Sequence, residues 1–213
     1  MFQKITRKNL EKFLANHATE ERTLDIGSGG SSYSRFFPNR LTVDIDPMRK
    51  PEIVADAHHL PFPEAEFSSI LCTEVLEHVK DPFQVERELR RVMKVGGTLV
   101  LSTRFVFPLH DTPHDYWRFT KYGLREIFKE WEIIEIVEET QTFSTIAALL
   151  HRIGFQTKLK MNKITKVILL IFIWIFDHLN FLIVSEYGDI GRKKPEKNIM
   201  PNRLLHSLQK ALI

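Results

Sequence analysis

The sequence predicts a doubly wound α/β fold built on a mostly parallel sheet. Three observations carry this expectation. Short apolar runs alternate with helical segments through the first ~105 residues, the alternation that builds parallel sheets with right-handed crossovers. A cluster of glycines, Gly27, Gly29 and Gly30, directly follows the first apolar run. An aspartate, Asp25, Asp44 or Asp56, stands at or beside the end of each of the first three runs.

The elements follow in order. Ile5, Leu10, Phe13 and Leu14 recur at helical spacing and predict a helix over 4–16. Short strands are expected at 23–26, 41–44, 53–55 and 69–72. A helix is expected over 82–93, with Pro82 in its first turn, where the missing N–H costs little, and Phe83, Val85, Leu89, Val92 and Met93 as core contacts. Gly96 and Gly97 read as a turn before a fifth strand at 98–102. A polar, aromatic-rich connection over 104–119 leads to a helix at 121–129 and a sixth strand at 131–137.

The remainder is different in character. A helix is expected near 143–156, followed by a strongly apolar segment over 164–184. Its uninterrupted apolar run, Val167 to Phe176, is ten residues, too short for a bilayer that needs ~20. Three readings stay open for 164–184: a core or dimer helix covering the sheet, a membrane-surface helix, and a true span. Basic residues flank it, with Lys158, Lys160, Lys163 and Lys166 before and Arg192, Lys193, Lys194 and Lys197 after. The last sheet strand is expected at 181–185 in preference to 140–146, and the tail from Asn202 as a small amphipathic helix. The organisation read from this pattern is a core at 1–140, an apolar helical insertion with the last strand at 141–190, and a basic tail at 191–213.

Hydrophobic residues make up 43% of the 213, enough for a sizeable core, which excludes global disorder. One cysteine, Cys72, excludes an internal disulfide framework and fits a reducing cytoplasm. The N-terminal segment is amphipathic and does not read as a signal peptide. Net charge is −4 over residues 1–150 and +7 over 151–213, so an anionic partner for the tail is one expectation. Nucleic acid is not expected as substrate, because the basic residues are confined mainly to that tail.

The glycine cluster lets the chain turn tightly and lets backbone approach a ligand. Asp44 follows Asp25 by 19 residues, where a carboxylate can accept both hydroxyls of a ribose. Asp56, twelve residues further, can accept an adenine amino group beside Ala57. All three carboxylates are expected to face one crevice at the strand ends. A dinucleotide fingerprint needs glycine at position 32, where this chain has Ser32. A carboxylate at Asp25 would also repel a pyrophosphate while tolerating an ammonium and a sulfonium.

These blocks resemble the class I S-adenosylmethionine (SAM) dependent methyltransferases. Residues 23–31 look like their first motif and 41–47 like their second. Residues 55–63 and 67–79 resemble the third and fourth, and 89–102 the following helix and fifth strand. The family's last glycine of the first motif falls on Ser31 here, with Gly30 one place earlier. The resemblance implies a seven-stranded Rossmann-like sheet and SAM as cofactor. It implies that Asp25, Gly27 and Gly29 shape the methionine end, that Asp44 binds the ribose, that Asp56 and Ala57 bind the adenine, and that Thr73 borders the methyl-transfer position.

Methyl transfer needs alignment first, and a general base where the nucleophile holds a proton of high pKa. Glu74, Glu77 and His78 form one candidate cluster, with Glu74 and His78 expected on one helix face. No metal is expected. The second cluster runs from His110 to Thr120. His114 and Asp115, with His78, are the expected catalytic groups; His110, Tyr116, Trp117 and Arg118 are expected to meet the acceptor, the aromatics by flat contact and Arg118 by bidentate pairing. The competing structural reading has Trp117 and Phe119 packed on the sheet, Arg118 paired to a carboxylate and Thr120 capping a helix. Residues 115–120 resemble the Asp-Tyr-Trp-Arg-Phe-Thr signature of bacterial methyltransferases linked to glycan assembly, which implies a small-molecule or lipid-linked saccharide acceptor. The expected setting is the cytoplasm, with peripheral membrane contact through 164–184 at its inner face, or a homodimer. A SAM-fold binding or scaffold protein without turnover is the alternative.

Overall fold

 The computed structural model describes residues 3–29, 33–158, 160 and 163–211. Gly30, Ser31 and Ser32 lie outside them, as does the side chain of Ile5. Among the described residues, helix α1 (Gln3–Asn16) precedes strands β1 (Thr23–Ile26), β2 (Arg40–Asp44), β3 (Ile53–Val54) and β4 (Phe67–Thr73). Helix α2 (Pro82–Val92), β5 (Met93–Arg104), α3 (Lys121–Ile127) and β6 (Trp131–Glu138) follow. The chain ends with α4 (Thr142–Gln156), α5 (Lys163–His178), the small strands β7 (Glu186–Asp189) and β8 (Lys194–Glu196), and β9 (Arg203–Lys210).

Seven strands form one sheet in the order β3-β2-β1-β4-β5-β9-β6. Neighbours from β3 to β5 run parallel, and β9 is antiparallel to both β5 and β6. This is the Rossmann-like sheet expected from the sequence. The central strands are covered on both sides, and their residues alternate between two cores, as the two-residue period of a strand requires. Ile70, Cys72, Leu99, Leu101, Leu204 and Leu208 join the core that also holds Val85 and Leu89 of α2 and Leu124 of α3. Leu71, Val100 and Leu205 turn the other way, onto Leu10, Phe13 and Leu14 of α1.

Local chemistry sets the element ends. Asp81 caps α2 by accepting the N–H groups of Phe83 and Gln84, and Pro82 occupies the first turn. Such a cap contributes about 1 kcal/mol. Phe83, expected in the core, is exposed, while Val85, Leu89, Val92 and Met93 are buried. Thr120 caps α3 through the N–H of Gly123. Gly96 and Gly97 do not make a turn: β5 runs through them, with Gly96 at φ +75°, opposite a register shift in β4 between Phe67 and Ser69. A Cβ on Gly97 would stand 2.9 Å from the Lys94 carbonyl and 3.0 Å from that of Ser68, so the bulge depends on its absence.

The C-terminal expectations need three corrections. The last sheet strand is β9, and 179–182 is a 3₁₀ turn with Phe181 exposed. The tail is not an amphipathic helix, and the basic end of the chain supplies a central strand instead of lying outside the core. Leu204, Leu205 and Leu208 have helix-compatible spacing, but a strand inserted between two others needs apolar groups on both faces. Finally, α5 does not cover the sheet. It packs antiparallel on α4, with the rings of Phe143 and Phe176 6.2 Å apart and Asn180 accepting the N–H groups of Phe143 and Ser144. Ile173 is its buried side chain.

Candidate active site

The C-terminal ends of β1, β2, β4 and β5 open into a cleft of about 1390 Å³. One wall is made by the turn after β1. Gly27 sits at φ +65° and a Cβ there would meet Val75 Cγ2 at 2.3 Å, so both conformation and space require glycine. Gly29, at φ +53°, donates its N–H to Asp44 Oδ2 at 2.9 Å. Asp44 Oδ1 accepts the Asp46 N–H, also at 2.9 Å, so the carboxylate at the end of β2 is held in one orientation facing the cleft.

Asp56 and Ala57 line the same cleft beyond β3. Asp56 Oδ1 accepts from the backbone N–H of His58 at 2.9 Å and from His58 Nδ1 at 2.6 Å. His58 Nε2 in turn accepts the Asp81 N–H, which assigns the ring proton to Nδ1. Partial burial works to raise the Asp56 pKa, but the two bonds from His58 outweigh it and keep the carboxyl below its ordinary value. Sequence reasoning missed His58; its place two residues after an expected ligand-binding acid was the available signal. Thr73, the last residue of β4, also lines the cleft.

Asp25 does not share this crevice, which corrects the expectation of three carboxylates at one site. It is fully buried one residue before the cleft-lining Ile26 and pairs with Arg40 at 2.6 Å. Burial pushes its carboxyl up to about 7, against the opposing pull of Arg40. Among the described residues its Oδ1 has no hydrogen-bond partner.

A second wall of the cleft joins 74–79 to the connection after β5. Glu77 O accepts the N–H groups of Tyr116 and Trp117. His78 Nδ1 lies 2.7 Å from the His114 carbonyl oxygen, and a carbonyl can only accept, so His78 donates from Nδ1 and keeps a lone pair on Nε2 when neutral. His114 Nδ1 is 3.0 Å from the Tyr116 hydroxyl. His78, His110, His114 and Tyr116 all line the cleft. Glu74 and His78 line it too, but not from a helix face: Glu74 has φ +58° and 76–78 is a 3₁₀ turn.

Asp115, Trp117 and Arg118 do not line the cleft. Arg118 grips Asp115 bidentately at 2.6 and 2.7 Å and also donates to the carbonyls of Phe107 and Pro108. Asp115 accepts the His110 N–H as well, so the pair fastens the loop and neither group is presented to an acceptor. Arg118 holds the Asp115 carboxyl well below the usual carboxylate range. Trp117 donates its indole N–H to the Val79 carbonyl at 2.9 Å. The structural reading of this segment therefore holds for Arg118, paired to Asp115, for the buried Phe119 and for the cap Thr120, whereas Trp117 is exposed and is not packed in the core.

Beneath the wall lies a buried ionic network that sequence reasoning did not find, because two of its members come from distant strands. Arg104 and Arg203 both pair with Glu74, and Arg203 pairs with Glu139 at 2.8 Å. Burial works to raise the Glu74 pKa, but Arg203 and Arg104 outweigh it and hold the carboxyl low. Glu77, whose partner is the Thr103 hydroxyl at 2.7 Å, is pushed up to about 8 by burial and by Glu74. Among the described residues, Glu77, His78 and His110 each offer a potential metal-ligand atom, all within 4.8 Å of one another.

A family model described as "Methyltransferase domain" matches residues 24–101, the stretch from β1 to β5 that builds the glycine wall. An uncharacterised protein of Methanocaldococcus jannaschii is 31% identical over 147 residues, covering 63% of this chain and 71% of its own length. The ubiquinone biosynthesis O-methyltransferase of Pseudomonas aeruginosa is 33% identical over 102 residues, covering 39% of this chain and 44% of its own length, so the chain spans under half of that enzyme. A solved complex of the Trm112 methyltransferase activator with a methyltransferase of Haloferax volcanii shares the fold at a TM-score of 0.63, with 13% identity, and the match covers 99% of this chain and 92% of that one. A glycine bend without a pyrophosphate fingerprint, a pinned Asp44 and this pattern of relatives converge: the chain belongs to the class I SAM-dependent methyltransferases, with SAM as its cofactor.

Proposed function

We propose that the chain transfers a methyl group from SAM to a hydroxyl of a small-molecule or lipid-linked saccharide acceptor. The observation that carries this reading is that one cleft is lined by two sets of residues, Gly27, Gly29, Asp44 and Asp56 together with His78, His110, His114 and Tyr116. The first wall fits SAM. The Asp44 carboxylate suits a ribose diol, Asp56 and Ala57 suit the adenine, and the glycines leave room for the methionine end beside Thr73. Bound there, SAM supplies a methyl group already activated by a sulfonium.

The second wall has the task of holding the acceptor in line and taking its proton. His78 is the favoured base, because its bond to the His114 carbonyl leaves Nε2 as the acceptor. His114 and Tyr116 are the favoured acceptor contacts, and His110 completes the wall. An oxygen acceptor is supported by the ubiquinone relative, an O-methyltransferase. A saccharide is supported by the resemblance of 115–120 to glycan-associated enzymes, and by a cleft large enough for a substantial acceptor beside the cofactor. The reaction is assigned to the cytoplasm. Incubating native extract with isotopically labelled SAM and the purified chain, then reading labelled products by mass spectrometry, tests the reading. A labelled saccharide or saccharide-lipid supports it; label on protein or nucleic acid alone overturns it.

A further inference from the structure

From the α4–α5 hairpin we infer that this protein docks on an anionic lipid surface, with α5 lying in the interface and the acceptor wall of the cleft beside the bilayer. The proposal rests on the lipid-linked acceptor reading for its purpose but not for its geometry. The stretch Lys163–Leu182 is 20 residues long and apolar enough to cross a membrane by composition, yet 6% of it is buried. Ile164, Val167, Ile168, Leu170, Ile171 and Trp174 are all exposed. At 100° per residue the exposed apolar positions of α5 sweep about 200°, opposite the buried Ile173. One packing partner typically covers a stripe of about 100°. A second copy would leave much of this arc in water, whereas acyl chains would cover all of it.

Charge selects the kind of surface. Lys158, Lys160, Lys163 and Lys166 are exposed at the α4–α5 turn, and Arg192, Lys193, Lys194 and Lys197 are exposed beyond the other end. Cations at both ends of an apolar helix suit one lying flat among acidic headgroups, not one crossing them. Both ends of the hairpin also return to the same sheet, through β6 and β9.

The hairpin is joined to the cleft. Gln156 donates to the Leu109 carbonyl at 3.0 Å, and the Arg152 guanidinium lies 4.7 Å from the Phe107 ring centre. Leu109 is exposed and immediately precedes His110 of the acceptor wall. Docking through α5 therefore brings that wall to the membrane, where a lipid-linked acceptor is presented.

Vesicle flotation of the full chain tests the proposal, using phosphatidylcholine vesicles with and without phosphatidylglycerol. Flotation is expected with the anionic vesicles, with release by alkaline carbonate. Lys163→Ala with Lys166→Ala should lower partitioning about thirtyfold, at roughly a fivefold loss for each lysine near the surface. Ile171→Glu with Trp174→Glu should abolish flotation while the calorimetric response to SAM persists, which separates this proposal from the methyltransferase reading and excludes misfolding. Failure to float on anionic vesicles, carbonate-resistant insertion, or a dimer in sedimentation that the Ile171/Trp174 double variant dissociates would each overturn it.

Discussion

The Asp44 carboxylate accepts the Gly29 N–H at 2.9 Å, so one side chain both shapes the glycine turn and faces the cleft. Removing it deletes the proposed ribose acceptor and releases the glycine turn that it holds. A hydrogen bond to a charged group is worth roughly 1.5–3 kcal/mol, so losing two such bonds weakens binding by at least about a hundredfold. Asp44→Ala should accordingly abolish the calorimetric response to SAM and to its demethylated product. Retention of near-native affinity would remove Asp44 from the site.

Gly27 carries two separate demands, a positive φ and the space taken by Val75. Gly27→Ala should destabilise the fold by about 2–4 kcal/mol, combining left-handed backbone strain with overpacking. Val75→Ala in the same chain should recover the overpacking share and leave the backbone share. A denaturant-unfolding double-mutant cycle reads this coupling, and strict additivity of the two changes would refute the contact.

His78→Asn should lower kcat about 10²–10⁴-fold and leave SAM affinity unchanged, the pattern of a lost general base. The side chain of asparagine can still donate to the His114 carbonyl, so the wall is kept while the lone pair at the Nε2 position is lost. Equal losses in kcat and in SAM binding would point to a structural role.

The parts of this architecture that were legible in the sequence are those set by local pattern. Strands β1, β2 and β4 announce themselves as apolar runs, Gly27 and Gly29 as a bend, and Pro82 and Thr120 as helix starts. Asp44, Asp56 and Thr73 reach the cleft because strand ends in a parallel sheet share one edge. Pairing between charges is not local, and there the reading failed. Asp25 is claimed by Arg40, and Asp115 by Arg118, before either can meet a ligand. Strand β9 was hidden because insertion between β5 and β6 buries both its faces and erases the alternation that marks an ordinary strand. With it were hidden Arg203 and its partners beneath the acceptor wall.

Arg118→Lys should loosen the acceptor wall without touching the cofactor. Lysine offers a point charge where arginine forks across both oxygens of Asp115 and reaches two loop carbonyls besides. The KM for the acceptor should rise about tenfold or more, with SAM affinity held, as expected for one bidentate anchor worth more than 1.4 kcal/mol. A change confined to SAM binding would contradict the assignment of this pair to the loop.

Glu77 links the site to pH. Its carboxyl is pushed up to about 8 by burial and by the neighbouring Glu74, against an ordinary value of 4.5. Below pH 4.5 both folded and unfolded chains hold the proton. Between 4.5 and 8 the folded chain keeps a proton that the unfolded chain has released, so stability from this group is lost progressively as pH rises through that window. Glu77→Gln has the shape of the protonated acid, can still accept from Thr103, and does not titrate. Its Tm relative to the parent chain should therefore climb between pH 5 and pH 8 and level off above, read by thermal unfolding at matched ionic strength. A difference that stays flat across that range would show that burial and Glu74 do not hold the proton on Glu77 in the fold.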